Sequence, residues 1–305
     1  MIGLGRMGLN MTRRLLRHRQ QVVVWDRSLG PIADAEADGA IGASSPADVV
    51  RRLTPPRAVW VMVPSGAPTA AVIEELADHL EPGDIVIDGG NSKWKETVER
   101  ATALAQRGIE LLDSGTSGGI WGLENGYCLM IGGSETAFEQ VEEIFRALAP
   151  EQGYARMGPS GSGHFVKMVH NGIEYGMLQA YGEGFEVLRR GSYELDLGAI
   201  ATVWNRGSVV RSWLLELAEL AFVDDPELDS VAPYVEDSGE GRWTIEAAIE
   251  EDVPAPATVA ALFARFASRG NGEFSAKVIA ALRKQFGGHG VRAAVPQKPP
   301  TGEVG

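Results

Sequence analysis

The chain has 305 residues, a net charge of -13, 44% hydrophobic residues, 38 Gly and a single Cys. That length predicts two domains with ample material for a core, and the acidic balance argues against nucleic acid or an anionic membrane surface as partner. No apolar run reaches membrane-spanning length, no signal peptide is visible, and one cysteine excludes an internal disulfide framework, so a cytoplasmic location is expected.

In chain order, Met1-Ile2 leads straight into Gly3-Leu4-Gly5-Arg6-Met7-Gly8. A first strand has almost no room there, and the recorded start is expected to lie a few residues short. The glycine run is G-x-G-x-x-G at the entry to a helix over 7–19. Its glycines permit a tight turn and close approach of a pyrophosphate to the helix N-terminus. Residues 21–25 follow as a strand ending on Asp26, about where an acidic side chain meets a ribose 2′-hydroxyl. Strand, helix, strand and acid together favour a dinucleotide site over a glycine-rich turn beside an unrelated Asp. Gly3, Gly5, Arg6, Met7 and Gly8 would line it. Asp26 would repel a 2′-phosphate and favours NAD; Arg27 beside it would tolerate one, which keeps NADP open.

Short runs rich in β-branched residues at 58–63, 85–88 and 110–113 read as buried parallel strands, with 127–131 and 154–157 as two more. Helical stretches lie at 46–52, 68–79, 95–106 and 135–148; Ser45-Pro46 supplies an N-cap and a proline at the first helical position. Repeated βα units predict an α/β, Rossmann-like, doubly wound parallel sheet over 1–159. Three segments follow strand ends: Met62-Val63-Pro64-Ser65-Gly66, Asp88-Gly89-Gly90-Asn91-Ser92 and Asp113-Ser114-Gly115-Thr116-Ser117-Gly118-Gly119. Each alone is an ordinary turn. At one edge of one sheet they favour a ligand, with Val63, Pro64 and Asn91 toward the cofactor. Cys128, ahead of Leu129-Met130-Ile131, reads as a buried strand residue rather than a nucleophile.

Past Pro159 the pattern becomes almost wholly helical, at 164–190, 197–203, 209–221, 244–251, 257–266 and 275–285. This predicts an all-α domain over 160–290, with 291–305 as a flexible tail. In the first of these helices Lys167, His170, Asn171 and Glu174 fall at i, i+3, i+4 and i+7 and share one face. The other directions carry Phe165, Val166, Met168, Val169, Ile173, Met177 and Leu178. A helix apolar nearly all round is expected to be buried, where ionic groups are costly unless used. The stripe is therefore expected to line a cavity for a polar substrate. The alternative is a Lys reaching to water with a Glu paired to it. Desolvation would favour a neutral Lys as base and a protonated Glu as acid. Arg265, Arg283 and His289 are cationic residues further on, and either Arg could bind a phosphate bidentately or simply sit exposed on a helix end. No metal-ligand spacing and no nucleophile elbow is present.

Gly-Leu-Gly-Arg-Met-Gly at 3–8, Asp-Gly-Gly-Asn-Ser at 88–92, Ser-Gly-Gly at 117–119, Lys-Met-Val-His-Asn-Gly-Ile-Glu-Tyr at 167–175 and Phe-Gly-Gly-His at 286–289 give the chain its resemblance to a family. It resembles the decarboxylating 6-phosphogluconate dehydrogenases in their short bacterial form, within the β-hydroxyacid dehydrogenases. The resemblance implies oxidative decarboxylation of 6-phosphogluconate to ribulose 5-phosphate with NAD(P), and no metal. It implies Lys167 as the base on the C3 hydroxyl and Glu174 as the acid at C1 of the enediol. Asn91, Ser117, Gly118, Gly119, His170 and Asn171 would hold the sugar acid, and Tyr175 and Arg265 its phosphate. Arg283 and His289 would come from the neighbouring subunit's tail in a homodimer or homotetramer. Long members place Lys and Thr where this chain has Ser238 and Glu240, and Arg242 could compensate. The end of the second strand, Trp25-Asp26-Arg27, differs from the Asn-Arg of NADP-dependent members. The competing reading is a related dehydrogenase acting on a small unphosphorylated 3-hydroxy acid; Arg265, Arg283 and His289 argue against it. A non-catalytic dinucleotide sensor gives no reason for Lys167 and Glu174 to share a face.

Overall fold

The structure, a computed structural model, describes residues 1–270, 272, 274, 275 and 277–279. They fall into two compact units, one of residues 1–175 with 238–258, the other of 176–237 with the chain from 259 onward.

The first unit is an α/β sandwich. Its strands are β1 (Val23–Val24), β2 (Ile41–Gly42), β3 (Ala58–Val61), β4 (Ile85–Asp88), β5 (Glu110–Ser117), β6 (Cys128–Gly132) and β7 (Tyr154–Gly158). β3 to β7 form one sheet in sequence order, and β1 and β2 pair separately. Ile2 bridges the two by parallel contacts to Trp25 and to Val61. The helices between are α1 (Arg6–Arg17), α2 (Leu29–Ala37), α3 (Pro46–Arg52), α4 (Ala67–Ala77), α5 (Trp94–Ala105), α6 (Gly122–Asn125), α7 (Glu135–Gln140) and α8 (Glu142–Leu148). Alternation along the strands divides the core into two layers: Ile85 and Ile87 of β4 join Met11, Leu15 and Phe145, whereas Val86 joins Val49, Ile73 and Leu76. A sheet buried on both faces needs strands apolar at successive positions, and β3 and β4 are.

The sheet departs from the sequence reading in three places. β6 runs antiparallel to β5, because the short turn and α6 between them give too little chain for a parallel crossover. α2 and β2 carried no clear pattern, since α2 opens Leu29-Gly30-Pro31 and β2 is two residues long. The stretch 135–148 is two helices, α7 and α8, with Val141 leaving helical geometry between them. Ser45 caps α3 as expected, its hydroxyl accepting the Asp48 N–H at 3.0 Å.

The long helix α9 (Ser162–Arg190) begins in the first unit and continues in the second. The segment 238–258 returns α12 (Glu240–Glu250) to the first unit, and the second unit holds α10 (Leu197–Asn205), α11 (Trp213–Asp224) and most of α13 (Pro256–Ser268). Its core is Phe185, Ala201, Leu215 and Phe222, with Tyr181 and Trp204 against them.

Two burial expectations are corrected. α9 is not buried all round: Ile173 is 60% exposed, and Met177 and Leu178 are exposed as well. Its buried positions in the first unit are Gly163, His164, Lys167, Met168, Asn171, Gly172 and Tyr175, so the covered face there carries Lys167 and Asn171 and part of the apolar face is outside. Cys128 is exposed. It is the first residue of β6, and Gly163 of α9 lies against that strand further along, at the Met130 carbonyl and the Gly132 N–H.

Candidate active site

The glycine run is built around three different demands. Gly3 has φ +91°, and a Cβ there would overlap the Met62 carbonyl; a Cβ on Gly8 would overlap the Gly3 carbonyl. Those two glycines are required by the protein's own packing. A Cβ on Gly5, the N-cap of α1, would meet nothing within 4 Å, and no side chain caps the helix there. This open approach to uncapped N–H groups fits a pyrophosphate. Asp26 holds the turn, its Oδ2 accepting the Leu4 N–H and its Oδ1 the Ser28 N–H, both at 2.8 Å. Arg6 and Arg27 are exposed and Met7 is half-buried.

The loops after β3 and β4 meet this turn. Gly3 abuts Met62 and Val63, and a Cβ on Gly90 would lie 3.1 Å from the Val63 carbonyl oxygen. The Thr69 hydroxyl donates to the Pro64 carbonyl at 2.9 Å. Asp88, fully buried, organises the second loop: it accepts the Ser92 hydroxyl at 2.8 Å, the Gly90 N–H at 3.2 Å and Arg100 Nη2 at 3.2 Å. The turn so made presents Asn91 to solvent.

α9 starts on a remote cap. Asp113, fully buried at the centre of β5, accepts the Gly161 N–H at 2.6 Å and the His164 N–H at 2.8 Å. The His164 ring meets the Thr97 hydroxyl through Nδ1 at 2.8 Å, and Arg100 reaches toward the same hydroxyl at 3.5 Å. A polar chain thus runs from the Asn91 loop through Asp88, Arg100, Thr97 and His164 to the start of α9. Glycines bring helix and sheet together: a Cβ on Gly115 would overlap Lys167, and one on Gly163 would overlap the Met130 carbonyl. The lysine stem therefore lies on β5.

Of the stripe, Lys167 is 7% and Asn171 9% exposed, and His170 and Glu174 are half-buried. Burial holds the Lys167 ammonium below the usual lysine range, with Glu174, Glu240 and Cys128 pulling the other way. A lysine so placed is suited to act as a base. His170 Nδ1 and Asn171 Oδ1 are 3.0 Å apart, which orients the imidazole and the carboxamide of the middle pair relative to each other. β5 and β6 pair Ser117 opposite Cys128 and Gly115 opposite Met130. With a two-residue side-chain repeat, Ser117 and Cys128 share the face on which Gly115 meets Lys167. Gly118 and Gly119 follow with φ of +127° and +52°.

α12 closes the other flank of α9. The Thr244 hydroxyl lies 2.8 Å from the Met168 carbonyl, Gly172 leaves room for Thr244, and Gly241 for the Tyr175 ring. Tyr175 is buried and its hydroxyl accepts the Ser238 N–H at 3.3 Å. The structure thus gathers Asn91, Ser117–Gly119 and the stripe through Tyr175 in one unit. Arg265 is in the second unit, its Nη1 donating to the Glu236 carbonyl at 2.7 Å. Arg283 and His289 lie outside the described residues. Sequence reasoning missed the support: Thr97, His164 and the capping role of Asp113. No local pattern shows a cap supplied from 48 residues away.

Fold and site together define a dinucleotide-binding α/β protein whose first unit is completed by a helix carrying a buried lysine and a glutamate two turns apart. Residues 1–158 match the family described as the NAD binding domain of 6-phosphogluconate dehydrogenase, and residues 163–285 match its C-terminal domain family. The NAD(+)-dependent decarboxylating 6-phosphogluconate dehydrogenase of Haloferax volcanii is 46% identical over 95% of this chain and 97% of its own. The decarboxylating enzyme of Synechococcus elongatus is 38% identical over 88% of this chain and 61% of its own. The solved 6-phosphogluconate dehydrogenase of Plasmodium falciparum, described with NADP+ and with 6-phosphogluconate, superposes with a TM-score of 0.80 at 28% identity, covering 98% of this chain and 66% of that one. The chain belongs to the 6-phosphogluconate dehydrogenase family.

Proposed function

We propose that the chain oxidatively decarboxylates 6-phosphogluconate to ribulose 5-phosphate and carbon dioxide, with NAD as the favoured cofactor. The observation that carries this is the buried Lys167 sharing one face of α9 with Glu174, in a chain similar along nearly its whole length to an NAD(+)-dependent enzyme of that activity. Bound NAD supplies the acceptor for hydride from C3. Gly3, Gly5, Arg6, Met7 and Gly8 would cradle its pyrophosphate, with Asp26 and Arg27 at the ribose and Val63, Pro64 and Asn91 alongside. Lys167, neutral, takes the proton of the C3 hydroxyl as hydride leaves the same carbon. The ammonium so formed then polarises the C3 carbonyl while the C1 carboxylate leaves as carbon dioxide and its electron pair passes to C2. Glu174 donates a proton to that carbon, which becomes C1 of the product. Asn91, Ser117, Gly118, Gly119, His170 and Asn171 orient the sugar acid; Tyr175 and Arg265 take the phosphate.

Residues 1–159 serve as the cofactor domain and 160–290 as the substrate and self-association domain. The protein acts in the cytoplasm as a homodimer or homotetramer in which the C-terminal segment from 291 onward, with Arg283 and His289 ahead of it, reaches a neighbour's site. The exposed Ile173, Met177 and Leu178 on α9 support self-association. In the described residues no helix is long and apolar enough to cross a membrane, and no group of three or more His, Cys, Asp or Glu could hold a metal ion.

Steady-state assay of the full chain with 6-phosphogluconate is expected to give reduced cofactor and carbon dioxide in equal amounts, with kcat/KM higher for NAD than for NADP. Preferential turnover of a short unphosphorylated 3-hydroxy acid would overturn the reading. Asp26→Asn is expected to raise KM for NAD about tenfold, as one charge-assisted hydrogen bond is lost, and to narrow the gap to NADP. An unchanged cofactor ratio would remove Asp26 from the ribose.

A further inference from the structure

Glu240 is a buried acid without a task in the scheme above. It is 2% exposed, and neither carboxylate oxygen has a hydrogen-bond partner among the described residues. A buried carboxyl left without partners is costly, and native folds keep such groups where something offsets the cost. It stands in the first turn of α12, where the helix N-terminus favours negative charge. That turn is fastened to α9 beside Lys167. The Thr244 hydroxyl, one turn further along α12, lies 2.8 Å from both the Glu240 carbonyl and the Met168 carbonyl. Gly241, the next residue, packs against Tyr175.

The groups around Lys167 come from three elements. α9 itself contributes Glu174, with His164 and His170 one turn either side of Lys167; α12 contributes Glu240, and β6 contributes Cys128. β5 meets the lysine stem at Gly115, which brings no charge; Ser117 on the same face brings only a neutral hydroxyl, and the Asp113 carboxylate is taken up by the Gly161 and His164 N–H groups. Glu174 and Glu240 are thus the two carboxyl groups acting on the lysine, from different helices. Glu174 is assigned to the proton that goes to carbon. Glu240 is free to serve the lysine.

We propose that Glu240 is a positioning residue of the reaction, a second acidic group that faces Lys167 across the α9–α12 contact and sets its proton affinity. This rests on Lys167 being the base. The lysine must be neutral to take the hydroxyl proton and charged while carbon dioxide leaves. Burial alone favours the first state and opposes the second; a facing carboxylate favours the second. Because neither Glu240 oxygen is engaged elsewhere, both are available to the ammonium when it forms.

The test is the pH dependence of kcat/KM in Glu240→Gln and Glu240→Asp. The acid limb reports the lysine losing its proton. Removing a carboxylate lowers the lysine pKa, so in Glu240→Gln the limb is expected about one unit lower in pH, with kcat down about tenfold and KM little changed. Glu240→Asp, which keeps the charge, is expected to retain the wild-type limb. The rate of Lys167 acetylation by acetic anhydride against pH, followed by mass spectrometry, should shift in the same direction without any substrate. An unmoved limb and unmoved acetylation profile in Glu240→Gln would overturn the proposal. So would a rise in KM alone, which would make Glu240 a substrate contact, or a failure of this isosteric variant to fold, which would make its role structural. Lys167→Met assayed alongside separates the two readings: turnover retained there removes the base itself, whatever Glu240 does.

Discussion

Lys167→Met is expected to lose about 10²–10⁴ in kcat while melting at a higher temperature than the wild type. The loss follows from removing the base and the cation that the two halves of the reaction use in turn. The gain follows from burial. Lys167 is 7% exposed, its stem lies against Gly115, and desolvation is the largest influence on its proton affinity. Methionine fills nearly the same volume without a charge to desolvate. A gain of about 1 kcal/mol is expected, or about 2–4 °C for a domain of this size. The sign has a pH signature. The lysine binds its proton less readily folded than unfolded, so between its lowered value and the ordinary 10.5 the unfolded chain carries more protons. Wild-type stability therefore rises with pH across that window, and the advantage of Lys167→Met narrows there. Thermal unfolding of both proteins at several pH values checks it. A variant both inactive and less stable would mean that the ammonium is satisfied within the fold rather than held ready for substrate.

Asp113→Ala is expected to destabilise by about 3 kcal/mol, the sum of a lost helix cap and buried N–H groups left without acceptors. Asp113 is fully buried and its two oxygens take the N–H groups of Gly161 and His164 at 2.6 and 2.8 Å. The effect should not stop at stability. α9 is placed on the sheet by this cap together with Gly115, Gly132 and Gly163, each of which would overlap a neighbour if it carried a Cβ. Lys167 is one turn beyond His164. A lysine displaced by about 1 Å costs about 10²-fold in rate, so kcat is expected to fall in protein that still folds. Calorimetry and steady-state kinetics on the same preparation read both. A melting temperature within a degree or two of wild type would show that the neighbouring glycine contacts alone seat the helix.

The contrast between these residues shows what could be read in one dimension. Lys167 and Glu174 were legible because both lie on one helix, where a spacing of seven returns a side chain to the same face. The glycine run was legible because strand, turn, helix and Asp26 are consecutive. Asp113, Thr97 and His164 were not, because each acts on a partner far away in the chain. Glu240 shows the same limit: its sequence position says only that it opens a helix.

Sequence periodicity fixed which side chains of α9 share a face, but not which face would be covered. The apolar residues pointed to burial all round, yet Ile173, Met177 and Leu178 are exposed while Lys167 and Asn171 are covered. Apolar composition sets how much surface gains by leaving water; the positions of β5, β6 and α12, seated on glycines at 115, 163, 172 and 241, decide which surface does. By itself the sequence determined the βα order, the glycine turn with its acid, and the lysine and glutamate of one stripe, all set by local geometry along the chain. Only the tertiary structure decided that a strand aspartate caps the long helix, that the cysteine is exposed, and that a second carboxyl group from another helix faces the lysine. Those depend on contacts between segments far apart in sequence, which no local spacing encodes.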